Sequence, residues 1–514
     1  MKYNIGTRGS LLALTQCQQV KEILEKELGD QFSLNIITTQ GDQIQDKPLW
    51  QVDGKDFFTK ELDHALLAKE IDLVVHSYKD LGTERPEGIK TAALLERNFP
   101  HDVLLIKKST IENLNRMNKF IVGTSSPRRI AAINSHLKKL IPNGNRLEME
   151  CQVLRGNVNT RIEKLLNDQY DAIVLALAGL ERLAMDEKAS KELSRLITDL
   201  NFMILPLSLF PTAAGQGTLA IECRSDDYEL IEKLKKINHQ TTAHCAALEK
   251  QRFKSYGGGC HLGVGIHVYQ IDGIFGLIES GEHQGKKIHV QKLLEQLPAR
   301  PEGSVFIGMP SSKSRWEDIP SDDLIEKVKI DFEMPKDEGH LFVTSSYTTD
   351  AALKIKRKTL WTSGVRTSKR LALEGAWVNG MGDLFGEKEL ARFKQSHFVK
   401  LFHSDIQKDW IVLTNDLSQS DLGKTVAVYS RKIAEPTSDQ VELLKSVGAF
   451  YWTSYYQYIT YLEKFPFIKE KMHCCGLGKT YFQFQANKIK VIPFANIDHF
   501  EKWFTQGHME SGND

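Results

Sequence analysis

Through residues 1–220, short apolar runs alternate with stretches of helical period. Ile71-Asp72-Leu73-Val74-Val75 reads as a buried strand after a helix over Phe58–Lys69, and Phe120–Val122 and Ala172-Ile-Val-Leu-Ala176 read as strands beside further helical stretches. Such alternation predicts parallel sheets covered by helices. Pro206, Pro211 and the glycines of Ala214-Gly215-Gln216-Gly217 break the pattern and mark a crossover. From Leu219 to about Leu297 the pattern changes to a small α+β unit, with a strand over Leu219–Cys223, helices over Tyr228–Ile237 and Thr242–Phe253, and strands near 264 and 274.

Leu297-Pro-Ala-Arg-Pro-Glu-Gly-Ser304 predicts a linker. Beyond it lies a weak internal repeat. Leu341-Phe-Val-Thr-Ser345, a helix, Trp361-Thr-Ser-Gly-Val-Arg-Thr367 and a strand at Val378 recur as Tyr451-Trp-Thr-Ser454, a helix, Cys475-Gly-Leu-Gly-Lys-Thr480 and Val491-Ile492. Two similar βα halves are the inference. Strand-Thr-Ser-helix is also ordinary N-cap chemistry, so the repeat supports a fold rather than an activity.

At 514 residues the chain exceeds one core and predicts three to five domains. Its 67 basic and 66 acidic residues leave almost no net charge, which argues against a nucleic-acid coat. An anion site must therefore be built from locally focused arginines. Seven cysteines, an odd number without C-x-x-C spacing, argue against a disulfide framework and a zinc site, and no metal is expected. Arg8 and polar residues stand where a signal peptide needs an apolar run, and no stretch is long and apolar enough to span a bilayer. A cytoplasmic protein with reduced thiols and no membrane partner is expected.

Arginines cluster where strands hand over to helices. In Gly123-Thr-Ser-Ser-Pro-Arg-Arg129 a strand ends, Ser126 can cap, Pro127 takes the first helical position, and Arg128 and Arg129 follow. Amides at a helix start attract anions, and guanidinium groups beside them add bidentate carboxylate recognition. Leu154-Arg155-Gly-Asn-Val-Asn-Thr-Arg161 repeats the device, with Thr160 and Glu163 at capping-box spacing; Arg8 in Gly6-Thr-Arg-Gly-Ser10 and Arg182 in Ala178-Gly-Leu-Glu-Arg-Leu183 extend it. Any one of these is more often a surface residue paired to an acid. Together they would line the cleft at strand carboxyl ends and suit a ligand with many carboxylates or phosphates.

Three further segments carry candidate chemistry. His76-Ser-Tyr-Lys79-Asp80 follows the buried strand, where Asp80 either accepts from an N–H group and stabilises a developing cation or merely pairs locally. Lys55, Phe58 and Lys60 form a basic, aromatic loop that could fold over a ring system or simply be solvated. Cys260, after three glycines in Tyr256-Gly-Gly-Gly-Cys260, is either incidental to a tight turn or an exposed attachment point.

With these motifs assembled, residues 1–295 resemble the porphobilinogen deaminase (hydroxymethylbilane synthase) family. The matching segments run in the family's order: Gly6-Thr-Arg-Gly-Ser10 with Leu12-Ala-Leu14, Gly54-Lys-Asp-Phe-Phe58, His76-Ser-Tyr-Lys-Asp80, Gly123-Thr-Ser-Ser-Pro-Arg-Arg129, Leu154-Arg-Gly-Asn-Val-Asn-Thr-Arg161, Ala178-Gly-Leu-Glu-Arg182, Gly215-Gln-Gly217 with Ile221-Glu-Cys-Arg224, and Gly258-Gly-Cys260. The resemblance implies two βα domains similar to periplasmic binding proteins, over 1–97 with 197–217 and over 98–196, and a small α+β domain over 218–297 that carries the cofactor cysteine. It implies a dipyrromethane held by Cys260 through a thioether, priming the stepwise condensation of four porphobilinogen units with loss of ammonia. Asp80 is then the catalytic carboxylate, on pyrrole nitrogens and a cationic azafulvene-like intermediate, with Lys79 beside it. Arg8, Ser10, Lys79, Ser125, Arg128, Arg129, Arg155 and Arg161 would hold acetate and propionate groups. Arg182, with Arg8, Arg155, Lys55 and Phe58, would meet substrate. The family usually has proline three residues after the cysteine, where this chain has Gly263.

Residues 303–510 resemble, more loosely, the uroporphyrinogen-III synthase family, which has two βα lobes joined by a two-stranded connector. Thr344-Ser345 with Gly364-x-x-Thr367 matches one lobe; Val426-Ala-Val-Tyr429, Thr453-Ser454 and Leu477-Gly-Lys-Thr480 match the other, and Tyr429 falls on a tyrosine the family associates with activity. The Thr-Arg pair usual after the opening strand is missing from Val305-Phe-Ile-Gly-Met309. The expectation is a bifunctional, monomeric protein of tetrapyrrole synthesis acting on porphobilinogen and linear tetrapyrroles. Its alternatives are a C-terminal half reduced to a structural or interaction domain, and an N-terminal half that binds anions without catalysis.

Overall fold

The computed structural model describes residues 1–38, 59–259, 262–310, 319–333, 335, 338–408 and 410–506. Two five-stranded sheets carry the first 224 residues, each mixed rather than wholly parallel. In the first, strands run in the order Gln31–Ile36, Lys2–Thr7, Leu73–Ser77, Leu219–Arg224, Ile89–Leu94. In the second the order is Glu148–Gln152, Lys119–Gly123, Ala172–Ala176, Asp102–Lys107, Leu200–Ile204. Strands joined through helices are parallel, as expected. The antiparallel strands are Leu219–Arg224 and Asp102–Lys107, each the first strand after the chain has crossed from the other sheet. A βα crossover returns the chain to the end where the previous strand began, whereas a chain arriving from a neighbouring unit is free to enter from the opposite end.

Two of these pairings run across the expected boundaries. Leu200–Ile204, expected in the first unit, pairs with Asp102–Lys107 in the second sheet, and Leu219–Arg224, expected in the third unit, lies between two strands of the first. The chain therefore crosses between sheets at 95–101 and at 205–218. Gly215 and Gly217 make the second crossing possible: both have φ in the left-handed region, and a β-carbon would come within 2.5 Å of Tyr78 at one and 2.6 Å of the Asn98 carbonyl oxygen at the other. The third unit follows, with helices Tyr228–Lys235 and Gln240–Ser255 beside the antiparallel strands Gly263–Ile271, Ile274–His283 and Lys286–Leu293.

The C-terminal half has two sheets and a crossed chain. Strand Ser304–Ile307 opens a parallel sheet, which the chain completes only later with Val447–Trp452, Met472–Gly476 and Ile492–Phe494. Between them it builds a six-stranded sheet through Ile325–Lys329, Gly339–Val343, Arg357–Thr362, Gly380–Met381, Trp410–Asn415 and Lys424–Ile433. Outgoing Ile325–Lys329 and returning Lys424–Ile433 pair antiparallel, forming the connector. The repeat in the sequence is a repeat in space: Gly339–Val343 and Arg357–Thr362 occupy one lobe as Val447–Trp452 and Met472–Gly476 occupy the other.

The two halves share a core. Phe202 and Ile204, on the edge strand of the second sheet, pack in one apolar cluster with Phe342, Trp361, Phe393 and Phe398. Phe202 lies 6.1 Å from the Trp361 ring centroid and 4.8 Å from that of Phe402. Ile204 donates its amide to the Asn379 carbonyl at 2.8 Å, and Trp377 Nε1 donates to the Phe202 carbonyl at 3.0 Å, so the C-terminal half covers a sheet edge that would otherwise be open. Tyr269, Ile271 and Ile278 of the third unit join the core of the other lobe around Phe306 and Trp452. The proline-rich stretch expected as a linker is pinned too, its Pro298 carbonyl accepting from Trp503 Nε1 at 2.9 Å.

Candidate active site

Each arginine motif sits where a strand ends and a helix begins. Ser10 caps Leu11–Leu28 and accepts from the Ala13 amide; Ser126 caps Pro127–His136 with Pro127 in the first turn, as expected. For Val158–Leu166 the cap is Asn157, whose side chain accepts from the Thr160 amide at 2.9 Å. That replaces the capping box expected from Thr160 and Glu163, because the helix starts one turn earlier. Ser125 Oγ donates to the Leu154 carbonyl at 2.8 Å and accepts from the Leu154 amide, tying the loop after one strand to the Arg155 loop.

Arg128 and Arg129 converge on Asp102. Arg129 donates through Nε and Nη2 to the two carboxylate oxygens at 3.1 and 2.8 Å, and Arg128 Nη1 adds a third bond at 2.8 Å. Gln216 Nε2 donates to the same carboxylate at 3.0 Å while its Oε1 accepts from Lys79 Nζ at 3.4 Å. Burial alone would raise the Asp102 carboxyl, but the two guanidiniums hold it well below the usual carboxylate range. Asp102 and Gln216 organise the site, and sequence reasoning misses both in that role. The available signal is an aspartate opening the apolar run Asp102-Val-Leu-Leu-Ile106.

Other cations in the same region have no such counter-charge. Arg161 is held by the Gly156 carbonyl at 2.7 Å and Arg182, buried, by the Gly217 carbonyl at 2.7 Å. Among the described residues, no carboxylate forms an ion pair with Lys79, Arg155, Arg161 or Arg182. Burial pushes Arg161 down to about 10, helped by Arg129 and Arg155 and opposed by Asp80; burial alone pushes Arg182 to about 10. Lys79 is lowered by burial and partly restored by Asp80. Buried cations in excess of anions are costly unless a ligand brings the missing charge. These residues fit a group that carries several carboxylates.

Asp80 is exposed at the end of the short turn Tyr78–Asp80, which follows strand Leu73–Ser77. Its charge acts on Lys79, Arg161 and Lys250. Lys250, unremarked in the sequence, stands over the Tyr78 ring at 4.9 Å and is lowered by burial to about 8. Helix Leu11–Leu28, behind Arg8 and Ser10, meets helix Leu177–Met185 across the two units, Gln19 Nε2 donating to the Arg182 carbonyl at 3.3 Å. Cys260, Lys55 and Phe58 lie outside the described residues. The approach to Cys260 is described: Gly257, Gly258 and Gly259 have φ of 86°, 63° and 95°, a run of left-handed backbone that side chains would strain. A second buried group, Asp63, His76 and Glu222, lies at the foot of the first sheet, where Arg85 Nη2 bridges both carboxylates at 2.6 and 2.8 Å.

In the C-terminal half, the hydroxyls of the Thr-Ser repeat are engaged by backbone. Ser454 caps Tyr455–Lys464, Ser345 accepts from the Tyr347 amide at 3.2 Å, and Thr344 and Thr453 donate to the carbonyls of Leu413 and Gly308 at 2.8 Å each. Tyr429 is buried on the connector strand, its ring 5.3 Å from that of Tyr347 and its hydroxyl without a hydrogen bond among the described residues. Beside Tyr347 opens a pocket of about 450 Å³ lined by Lys329, Ser346, Tyr347, Thr349, Asp350, Arg366 and Arg370, in which Lys329 pairs with Asp350 and Arg370 with Glu374.

Comparison with known proteins gives the same assignment for the first half. Residues 3–232 match the family described as "Porphobilinogen deaminase, dipyromethane cofactor binding domain". The porphobilinogen deaminase of Geobacter sulfurreducens is 41% identical over 267 residues, covering 52% of this chain and 77% of that protein. The probable porphobilinogen deaminase of Methanocaldococcus jannaschii is 41% identical over 261 residues, 51% of this chain and 80% of that protein. Among solved structures, a uroporphyrinogen-III synthetase from Helicobacter pylori aligns over 38% of this chain and 93% of its own, at 16% identity and a TM-score of 0.27. A substrate-binding protein of a polar amino acid ABC transporter from Streptococcus thermophilus aligns over 46% and 78%, at 16% identity and a TM-score of 0.26. Both structural likenesses are too slight to assign anything. With the deaminase motifs, the under-neutralised arginine cleft and these relatives in agreement, the chain belongs to the porphobilinogen deaminase family.

Proposed function

We propose that residues 1–297 condense four porphobilinogen molecules, with loss of four ammonia and addition of one water on release, into hydroxymethylbilane on a dipyrromethane carried by Cys260. The observation that carries this reading is the set of half-buried Lys79 and Arg161 and buried Arg182, which among the described residues form no ion pair with a carboxylate, beside the exposed Asp80. A bound dipyrromethane would supply the free pyrrole carbon to which the first unit is added. Arg155, Arg161, Lys79, Arg8 and the Ser10 and Ser125 loops would hold its acetate and propionate groups. Arg128 and Arg129, anchored on Asp102, would contribute positive potential and their remaining N–H groups. Arg182 would meet the carboxylates of the incoming porphobilinogen. Asp80 would accept from pyrrole N–H groups and stabilise positive charge as ammonia leaves. We further place the unit boundaries at the crossings, so that 219–224 completes the first unit and 200–204 the second. Turnover of porphobilinogen by the purified chain tests the reading, and no consumption would refute it.

For residues 303–510 the reading is uroporphyrinogen-III synthesis. It rests on the crossed chain with its antiparallel connector and on the polar pocket beside Tyr347, where Arg366 could meet a substrate carboxylate. A second reading, a structural partner, is favoured by the shared core and by the backbone bonds that engage the Thr-Ser hydroxyls. The isomer formed from porphobilinogen decides between them. Released hydroxymethylbilane closes spontaneously to type I, whereas a synthase inverts the last ring to give type III. Type III from the intact chain supports the synthase; type I alone supports the structural partner.

A further inference from the structure

The seam between the halves reaches the deaminase cleft at helix Leu177–Met185, where Glu181 and Arg182 are neighbours. Glu181, 3% exposed, accepts from Ser396 Oγ at 2.6 Å, the His397 amide at 2.8 Å and the Phe398 amide at 3.0 Å, all in the C-terminal half. His397 Nδ1 lies 3.0 Å from the same carboxylate. Arg182, next in the chain, rests on the Gly217 carbonyl alone and has no acid to fix it among the described residues. The two residues thus divide the helix between a clamped side and a substrate side.

We infer that Glu181 is a positioning residue for porphobilinogen binding: clamped by Ser396, His397 and Phe398, it sets where the Arg182 guanidinium stands in the cleft. The inference rests on the proposed contact between Arg182 and substrate. A buried carboxylate is kept only where donors satisfy it, and here all four come from the other half of the chain. A single-turn shift of a nine-residue helix moves every side chain on it, and sub-ångström misplacement of a binding group is enough to weaken a substrate complex. A second contact acts in the same sense at the neighbouring hub, where His101, adjacent to Asp102, lies 3.3 Å from Glu389 of the C-terminal half.

The test uses the full chain and steady-state consumption of porphobilinogen. Ser396→Ala and Glu181→Gln should raise KM about fivefold or more while kcat changes less than about twofold, the size of an ordinary coupling between sites. Ser396→Thr, which keeps the hydroxyl, should restore KM. Arg182→Gln is run alongside. Should Arg182→Gln leave KM unchanged, the substrate role of Arg182 fails, and the inference with it. Should Arg182→Gln raise KM while Ser396→Ala retains the wild-type value, the coupling is overturned and the substrate role stands. Ser396→Ala removes only a hydroxyl, so it decides the question even where Glu181→Gln fails to fold.

Discussion

Asp102 binds Arg129 in a bidentate pair, Nε at 3.1 Å and Nη2 at 2.8 Å, under a cleft where Arg161 and Arg182 have no carboxylate pair among the described residues. The same aspartate holds Arg128, so one buried carboxylate anchors two guanidiniums. Asp102→Ala should leave both unpaired and lower stability by about 3–5 kcal/mol, the usual cost of breaking a buried ion pair. Denaturant unfolding reads this directly. Because the folded carboxyl is held below its ordinary 3.8, its stabilising contribution is complete above that value and is lost as pH falls from there through the lower folded value. Wild type should therefore lose its advantage over Asp102→Ala in acid.

Glu389 predicts the opposite sign. Its buried carboxyl, at the seam beside His101, Arg392 and Asp383, is raised by burial from 4.5 to about 7. The contribution is present below 4.5 and lost as pH rises to about 7, because the unfolded chain releases the proton first. Glu389→Gln should raise the melting temperature more at pH 8 than at pH 5. An equal shift at both values would show that the carboxyl titrates alike in the folded and unfolded chain.

Asp80→Asn should keep the fold, since the residue is exposed on its turn, yet lower turnover by about 100- to 1000-fold, as loss of a preorganised electrostatic group does. Turnover near the wild-type rate would remove Asp80 from the mechanism. Arg161→Leu should act on binding and cofactor assembly instead, and removing a half-buried charge that pairs with no carboxylate among the described residues should not destabilise the protein. Thermal unfolding and cofactor content separate the two effects.

Tyr429→Phe addresses the C-terminal half. If the hydroxyl, which has no hydrogen bond among the described residues, assists departure of the terminal hydroxyl of hydroxymethylbilane, the full chain should give less type III and more type I uroporphyrinogen. An unchanged isomer ratio, in a variant that otherwise makes type III, would assign Tyr429 to packing against Tyr347.

Most strand-to-helix junctions are legible in the sequence because local chemistry fixes them: Ser126 with Pro127 could hardly do other than start a helix. The mixed sheets are not, since the direction of Asp102–Lys107 and Leu219–Arg224 depends on where the chain arrives from, and apolar periodicity carries no direction. The arginines are legible as a group, but Asp102 is not, because it sits outside the motif loops that present them, and Gln216 is legible only as part of the Gly215-Gln-Gly217 turn and not as a partner of Asp102. The seam is hidden for a similar reason. Phe202 and Trp361 read as core residues of separate units, and their shared cluster exists only once both halves are folded.

The proposed chemistry depends most on Cys260 carrying the group that the cleft is charged to receive. Its rivals are poor nucleophiles: burial pushes the thiols of Cys17, Cys151, Cys223 and Cys245 up to about 11. The direct measurement is the intact mass of the purified chain and of Cys260→Ser, followed by peptide mapping. The expected result is the added mass of a dipyrromethane on the peptide containing Cys260, absent from a folded and inactive Cys260→Ser. An unmodified active chain, or an adduct that persists in Cys260→Ser, would overturn the assignment.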